Sequence, residues 1–386
     1  MNRPTPLKGL KVLELARVLA GPWIGQTLAD LGADVVKVEA PGGDDTRKWG
    51  PPWVDHGGEQ SAAYYHACNR GKRSIVADFK TGEGKEIVRR LAARSDVLIE
   101  NFKHGGLAKY GLDYESLRAV NPRLIYASVT GFGQTGPYAD HAGYDFIVQA
   151  MGGLMDITGE PGGTPQKVGL PIADILTGLY GAIAIQAALA ERTQSGSGQH
   201  IDLSLMDCMT GVLGNQAMNY LVSGVAPTRM GAAHPNIVPY QAFEVSDGFL
   251  ILAVGNDGQF GRLCDLLNLG EGRAEKFATN AGRVTHRDQL VAMIESKTRK
   301  WTRADLLKAC EDHTVPAGPI NTVGDVFSDP QVIARNMQID VEGIPGVRTP
   351  ITMNGAHAAG DQRAPRLGEH TNEILSEIDL GMLPTG

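Results

Sequence analysis

The chain has 386 residues, 42% hydrophobic and 20% charged, an ordinary composition for a globular protein long enough for two domains and a sizeable core. Its formal net charge of −7 excludes a global basic field, so we expect neither nucleic acid nor a membrane as a partner. Cys68, Cys208, Cys264 and Cys310 are far apart and form no C-x-x-C pair. This spacing argues against a disulfide framework or a structural zinc site and predicts a cytoplasmic protein.

Short apolar runs alternate with helix-like segments through residues 11–129. Strands alternating with helices are typical of an α/β fold with a mostly parallel, Rossmann-like sheet covered on both faces. Ligands of such sheets bind at the carboxyl ends of the strands. The predicted strands are 11–15, 34–39, 74–79, 96–101 and 124–129, and the predicted helices are 20–33 (entered at Pro22), 82–94 and 114–120.

The pattern changes after a helical run at 205–224. Residues 238–256 predict a β-hairpin that turns at Asp247-Gly248, followed by helices at 257–269 and 286–301. We therefore predict a small α/β domain over residues 226–329. Residues 1–225 and 330–386 would form the large domain, onto which the segment 365–375 packs back.

The sequence lacks the usual fingerprints of nucleotide and metal sites. The run Gly131–Gly136 has the spacing G-x-G-x-x-G after the strand 124–129, but no predicted helix begins there, as a dinucleotide site requires. The pairs Gly71-Lys72 and Gly84-Lys85 lack the Ser or Thr that completes a P-loop. The ten histidines are scattered, and Ser197 lacks the upstream glycine of a nucleophile elbow. We therefore expect no metal, nicotinamide or flavin cofactor.

Asp174 is the one charged residue in the apolar run 168–190. Pro171, Asp174 and Gln186 make this run a poor membrane span, so we interpret it as a helix buried in a large protein. A lone buried carboxylate is costly unless it is paired or hydrogen-bonded. Either Asp174 caps a helix at 175–192, or it is a catalytic nucleophile that the start of the helix keeps ionised.

Several segments share an order and spacing with a known family. They are "RVLAGP", "LGADVVKVE" running into "GGDDTR", "NRGKRSI", "LIENF", "YASVTGFGQTGP", "AGYD", "ADILTGLYG" and "PRLGEHT". On these segments the chain resembles the family III CoA-transferases, from about Leu7 to Leu375. The resemblance implies coenzyme A as part of the substrate and an interlocked homodimer.

The resemblance also implies a reaction for Asp174. Its carboxylate would attack an acyl-CoA thioester, giving an aspartyl anhydride and CoA thiolate, and the thiolate would then form an aspartyl-CoA thioester. An acceptor acid would run the same steps backwards. Asp145 matches an acidic position that assists the nucleophile, although it could equally cap the helix that follows it.

Tyr144 separates two branches of the superfamily. Related α-methylacyl-CoA racemases carry a catalytic histidine at this position, and proton transfer beside a thioester needs a base with a pKa near neutrality, unlike tyrosine. We therefore retain Tyr144 as a catalytic-site residue of a transferase. Racemase and acyl-CoA hydrolase activity stay as alternatives.

The same resemblance predicts where CoA binds. Arg17 would lie near the thioester, and the other predicted contacts are Val18, Ala20, Lys80, Asn101, Phe102 and Lys109. We add Lys72 and Arg73 on charge alone. Each of these lysines could instead be an ordinary solvated surface charge, and that is the favoured interpretation of Lys72.

Other segments point to an acceptor. "WGPP", "GAAHPNIVPYQAF" and "VPAGPINTV" are similar to the succinyl-CoA:glutarate branch of the family. The formyl-CoA branch has a histidine where this chain has Arg17, whose guanidinium could pair with the distal carboxylate of a dicarboxylic acid. His234 is a second substrate-binding candidate, or an ordinary loop histidine. We expect CoA transfer from succinyl-CoA to a C4–C6 dicarboxylate such as glutarate.

Overall fold

The computed structural model describes residues 3–379, and these divide into two compact units. The larger unit comprises residues 3–154, 167–223 and 332–379, and the smaller comprises 155–166 and 224–331. The small domain was predicted at 226–329, and the smaller unit also includes the separate segment 155–166.

The first part of the larger unit follows the strand–helix alternation. Its elements are β1 (Lys11–Glu14), α1 (Ala20–Asp30), β2 (Asp34–Glu39), β3 (Trp53–His56), β4 (Glu59–Ala62), α2 (Ala63–His66), β5 (Lys72–Val76), α3 (Gly82–Ala93), β6 (Val97–Glu100), α4 (Tyr114–Arg118) and β7 (Ile125–Thr130). The third predicted strand begins two residues earlier than expected, because Lys72 and Arg73 pair with Val35 and Val36 of β2.

The chain then forms mostly helices. The helices are α5 (Asp145–Met151), α6 (Leu154–Ile157), α7 (Ile172–Ser195), α8 (Leu205–Gly211) and α9 (Gly214–Ser223). One strand, β8 (His200–Ser204), lies between α7 and α8 in the chain. The single helix predicted at 205–224 is wrong: it is two helices, separated before Gly214, whose φ of 54° takes it out of the right-handed helical region. By length and composition α7 could cross a membrane, and in this fold it packs against α1 and α8.

Among residues 3–379, six strands form the central sheet in the order β5-β2-β1-β6-β7-β8, and every neighbouring pair is parallel. Alternate residues face opposite sides, so Val12 packs with α1 and α7 whereas Leu13 packs with α3 and α4. The predicted α/β architecture with a mostly parallel sheet is confirmed. Burial on both faces explains why the strands read as nearly continuous apolar runs.

The smaller unit contains its own sheet and core. Its elements are β9 (Tyr240–Val245), β10 (Gly248–Ala253), α10 (Asp257–Leu266), α11 (Asn280–Thr285), α12 (Arg287–Thr298), α13 (Arg303–Asp312), β11 (Ala317–Pro319) and α14 (Val323–Ser328). β9 and β10 form the predicted hairpin, with Val245 opposite Gly248, and β11 adds to β10 antiparallel.

The chain then returns to the larger unit. Helix α15 (Pro330–Ala334) comes first. Two small hairpins follow, one of β12 (Gln338–Val341) and β13 (Ile344–Val347), the other of β14 (Thr352–Met353) and β15 (Ala356–His357). The last helix is α16 (Thr371–Asp379). Helix α16 contacts β5 and α3, so the segment 365–375 packs onto the larger unit as expected.

A buried ionic network lies between the sheet and α1. Lys37 of β2 places its Nζ 3.0 Å from Glu14 Oε1 and 3.0 Å from Asp44 Oδ2. Lys72 of β5 lies 2.8 Å from Glu14 Oε2 and also donates to Asn69. Burial opposes charge on both lysines, but the Glu14 and Asp44 carboxylates outweigh it at Lys37 and raise the pKa of that ammonium.

Arg47 and Glu39 extend the network. The Arg47 guanidinium donates to both carboxylate oxygens of Glu39, at 2.8 and 2.7 Å, and Ser74 donates to the same carboxylate. Although burial alone would raise the pKa of Glu39, these donors and the neighbouring cations lower it. Because every one of these charges has an opposite partner, the group stays inside the fold instead of requiring water.

Candidate active site

A cleft of about 300 Å³ opens in the larger unit at the carboxyl ends of β1, β6 and β7. The segment after β1 contributes Arg17, Val18 and Ala20, and the segment after β6 contributes Asn101 and Phe102. Tyr144 and Asp174 also line the cleft, and the exposed fraction of Tyr144 is 66%. This is the edge of a parallel sheet at which ligands bind.

Asp174 lies inside the first turn of α7 instead of at its N-cap, so the capping interpretation of this residue is wrong. Pro171 takes the N-cap position, and α7 begins at Ile172, three residues earlier than predicted. The carboxylate that satisfies the start of α7 comes from elsewhere: Asp145 Oδ1 accepts the backbone N–H of Ala173 at 2.7 Å and of Asp174 at 3.3 Å.

Asp145 thus caps a neighbouring helix, and the interpretation of it as the cap of its own helix is also wrong. It is the first residue of α5, and Gln149 one turn later donates to its Oδ2 at 2.7 Å. Gln149 is buried and accepts the N–H of Val168, which leads towards α7. Asp145 and Gln149 therefore hold the beginning of α7, and with it the side chain of Asp174.

The Asp174 carboxyl is partly buried, and this burial raises its pKa to about 7. The negative charge of Asp145 adds to the increase. The sequence predicted that the start of the helix keeps Asp174 ionised. In the structure, burial and the like charge of Asp145 favour the protonated form more strongly than the helix dipole favours the carboxylate. Near neutral pH both protonation states of Asp174 are populated.

Two aromatic side chains beside Asp174 were missed by the sequence analysis. Burial, followed by the charge of Asp174, raises the pKa of the Tyr64 phenol to about 12, so Tyr64 is a hydrogen-bond donor at ordinary pH. Trp49 lines the cleft and packs edge-on against Tyr64, with ring centroids 5.3 Å apart. Trp49 begins the "WGPP" segment, which marked a family likeness without indicating a role for the ring.

The segments after β1 and β6 are joined by one asparagine. Asn101 accepts the N–H of Arg17 at 2.9 Å and donates to the Arg17 carbonyl at 2.6 Å. The Arg17 guanidinium lies 5.5 Å from the centre of the Phe102 ring and 3.3 Å from Asp45. The structure therefore brings together the predicted residues Arg17, Asn101 and Phe102.

A second cleft, of about 370 Å³, shares Arg17 and Phe102 with the first. It contains Lys80 and Lys109, both exposed and both predicted to contact CoA. Phe79 packs edge-on against Phe102 and Tyr110 at its wall. Two exposed ammonium groups beside an aromatic wall suit a ligand that combines phosphates with a flat ring.

Other predicted residues lie elsewhere. Lys72 is buried in the ionic network, so both its assignment to a phosphate and the solvated interpretation are wrong. Arg73 pairs with Asp34 and Glu377 at the amino end of its strand, so its assignment to CoA is wrong too. His234 belongs to the smaller unit, where its ring packs against Tyr240; its substrate role stays a prediction.

Metal ligands do not gather in the part of the chain that the structure describes: within residues 3–379, no group of three or more His, Cys, Asp or Glu side chains could hold a metal ion.

Comparison with known proteins identifies the family. Residues 7–371 match the model of CoA-transferase family III. The chain is 60% identical to a succinate–glutarate CoA-transferase of Agrobacterium fabrum, over 98% of this chain and 97% of that protein. It is 41% identical to the succinyl-CoA:glutarate CoA-transferase of Homo sapiens, over 98% of this chain and 87% of that protein.

Solved structures agree. The crystal structure of a CAIB/BAIF family protein from Brucella suis superposes with a TM-score of 0.89 at 64% identity, covering 97% of this chain and all of that one. A match over nearly the whole chain, together with the fold and the cleft, leads to one conclusion: the protein is an enzyme that belongs to CoA-transferase family III.

Proposed function

We propose that this enzyme transfers CoA from succinyl-CoA to a C4–C6 dicarboxylate such as glutarate, with Asp174 as the nucleophile. The observation that carries the proposal is the position of Asp174: a carboxyl with a pKa near 7 in a cleft that adjoins a second, lysine-bearing cleft. The activities for which the two relatives are named support the choice of donor and acceptor.

CoA would extend across both clefts. Lys80 and Lys109 would meet its phosphates, and Phe79 and Tyr110 would border its adenine. The pantetheine arm would pass Asn101 and Phe102, which bring the thioester to Val18 and Ala20 beside Asp174. Arg17 would then face the distal carboxylate of the acyl group.

The reaction would consist of balanced acyl transfers. The Asp174 carboxylate attacks the succinyl carbonyl, the C–S bond breaks, and CoA leaves as a thiolate. The thiolate attacks the aspartyl carbonyl of the mixed anhydride, which releases succinate and leaves an aspartyl-CoA thioester. Glutarate attacks this thioester, and the thiolate released takes the glutaryl group, which regenerates Asp174. The anhydride conserves the thioester's activation, so no net proton and no ATP is consumed.

The neighbours of Asp174 would support these steps. Asp145 and Gln149 fix the first turn of α7, so the carboxylate needs little reorganisation to reach the carbonyl. Tyr64 is protonated and can donate to an oxygen that gains negative charge, while Tyr144 and Trp49 would border the acyl chain.

The transfer itself is tested by mass spectrometry of new acyl-CoA species. Wild type is incubated with succinyl-CoA and glutarate, adipate, itaconate, malate, oxalate or carnitine, and we expect glutaryl-CoA. Asp174→Asn keeps the shape of the side chain but loses its nucleophilic oxygen, so we expect the rate to fall at least about a thousandfold. Asp34→Asn, at the opposite edge of the sheet, is the matched control and should retain the rate.

Each other outcome of that assay has a meaning. Equal transfer by Asp174→Asn would contradict the nucleophile assignment. Release of free CoA without any new thioester would instead favour the hydrolase.

The raised pKa of Asp174 predicts the pH dependence of the rate. Only the carboxylate attacks, so kcat/KM for succinyl-CoA should rise about tenfold per pH unit below pH 7 and level off above it, because this parameter reports the free enzyme. A stopped assay across that range measures it. A profile that is flat between about pH 5 and about pH 8 would show that Asp174 is already ionised in the free enzyme.

The stability should depend on pH in the opposite direction. The folded-state pKa lies above the ordinary value of 3.8, so between these values the folded state holds a proton that the unfolded chain has lost. Ionising Asp174 therefore destabilises the fold as the pH rises towards 7. The Asp174→Asn side chain does not ionise and does not lose stability in this way. The Tm of Asp174→Asn relative to wild type should therefore rise from about pH 5 to about pH 8.

Arg17 should determine the preference for dicarboxylates. Replacing it by leucine removes the partner of the distal carboxylate, so we expect KM for glutarate to rise at least about tenfold. Valerate has the same chain length but lacks the second carboxylate and serves as the matched substrate. Comparison of kcat and KM for both acids gives the result, and equal losses with both acids would exclude a specific role for Arg17.

We also propose that the protein is cytoplasmic, which fractionation of the source cells would test.

We further propose that the protein is a homodimer, which the family resemblance implies in interlocked form. Apolar side chains exposed on α7 and α9 of the larger unit support the dimer; they are Leu179, Tyr180, Ile183, Met218, Leu221 and Val222. Leu221 is 71% and Val222 80% exposed, and a subunit interface would remove such apolar side chains from water.

Light scattering on the purified protein decides the oligomeric state. We expect the mass of two chains, each of 41.1 kDa, and a smaller average mass when Leu221 and Val222 are both replaced by aspartate. A single-chain mass for wild type at micromolar concentration would contradict the dimer.

A further inference from the structure

We propose that Asp44 is a positioning residue of the catalytic cleft, because its buried carboxylate holds the segment Arg17–Val18 in the backbone conformation that meets the substrate thioester. The inference deepens the proposed function and rests on it for the identity of the substrate. Asp44 touches no reacting atom in this scheme and acts through the backbone of Val18.

Val18 has a backbone conformation that its own side chain disfavours. Its φ is +70°, in the left-handed region that favours glycine, and valine is branched at Cβ. Such a conformation persists only where the surroundings hold it, and it occurs often at active sites. Val18 lies on the catalytic cleft, immediately before Leu19 and the start of α1.

Asp44 is the group that holds this conformation. The Val18 N–H points at its carboxylate, 3.3 Å from Oδ2 and 3.4 Å from Oδ1. Asp44 is only 1% exposed, and its Oδ1 also accepts the backbone N–H and the hydroxyl of Thr46, at 3.0 and 2.8 Å. Lys37 and these donors lower the pKa of Asp44 despite its burial, so the carboxylate stays charged.

Lys37 closes the arrangement from the other side. Its Nζ donates to the carbonyl of Ala16 at 2.8 Å and lies 3.0 Å from Asp44 Oδ2. The two groups therefore hold the peptide before Arg17 and the peptide after it, and Asn101 holds Arg17 itself. Because Lys37 is fixed in turn by Glu14, the position of the segment is determined by the core of the sheet.

Asparagine cannot replace this carboxylate. One oxygen of Asp44 faces the Thr46 donors and the other faces the Lys37 ammonium, so both must accept. An amide has one acceptor oxygen, and its NH₂ would point either at Lys37 or at Thr46. The Asp44→Asn side chain must therefore rotate or shift, which releases the Val18 N–H.

The test compares Asp44→Asn with Asp30→Asn by hydrogen exchange and by kinetics. Asp30 is equally buried and pairs with Arg70 at 2.6 Å, but it lies at the far end of α1. For Asp44→Asn we expect the Val18 amide to exchange at least tenfold faster and kcat per folded molecule to fall at least tenfold. Asp30→Asn should lose thermal stability while keeping both values.

The readouts separate this inference from the proposed function. Unchanged exchange at Val18 in Asp44→Asn, or an equal loss of kcat in Asp30→Asn, would overturn the positioning role. Absence of CoA transfer by wild type would overturn the proposed function, whereas exchange at Val18 would still report on Asp44. Should Asp44→Asn fail to fold, Thr46→Val removes one donor to the carboxylate and should produce a smaller change in the same two quantities.

Discussion

Glu14 lies at the end of the central strand β1 and contacts two buried ammonium groups, Lys37 from β2 and Lys72 from β5. Asp44 is a second carboxylate beside Lys37, and Glu14 and Asp44 together raise the pKa of that ammonium against the effect of burial. At Lys72 burial prevails and lowers the pKa, although Glu14 opposes it. Removing one member of such a group typically costs about 3–5 kcal/mol, because the remaining charge has no water. The network thus makes three strands and the segment after β2 depend on one another.

Helix α1 packs over these buried charges, and they restrict which residues it can contain. A Cβ at Gly25 in the middle of α1 would overlap the Glu14 carboxylate, which Lys37 and Lys72 hold in place, so glycine lets the helix cross here without displacing it. Glycine within a helix is usually unfavourable by about 1 kcal/mol relative to alanine. In this fold that cost allows α1 to lie close to the sheet, and the N-terminus of α1 then lies beside the cleft with Leu19 and Ala20.

Under the proposed function, the reactivity of Asp174 would follow from the different surroundings of two carboxylates. Asp145 accepts the backbone donors at the start of α7, and Asp174 is left partly buried beside a like charge. A carboxylate with a pKa near 7 is a stronger base, and hence a better nucleophile, than an ordinary aspartate, although part of the population is then protonated. A nucleophile capped by the same donors would be fully ionised but less reactive.

Local sequence patterns predicted five strands of the central sheet and the hairpin of β9 and β10, because alternation of apolar segments is a property of neighbouring residues. They missed β8 and the short strands β3, β4 and β11 to β15. The errors at Asp145 and Lys72 have a different origin: their partners, the Ala173 N–H and Glu14, are 28 and 58 residues away along the chain. When the partner of a buried lysine is so far away along the chain, the local sequence around that lysine looks the same as around a solvated lysine. The resemblance to a family predicted Asp174 and Arg17, which line one cleft, whereas Trp49 and Tyr64 were not predicted because their sequence shows no periodicity.

The two clefts share Arg17 and Phe102, and this sharing bears on how CoA would be used under the proposed function. The segment that would receive the thioester is hydrogen-bonded through Asn101 to the segment that would border the pantetheine arm. Phosphates bound by Lys80 and Lys109 would therefore anchor one end of a ligand whose other end meets a rigid backbone. Binding energy from the distant, non-reacting part of CoA can then be used to hold the thioester against Asp174, which is how remote contacts raise kcat instead of merely lowering KM.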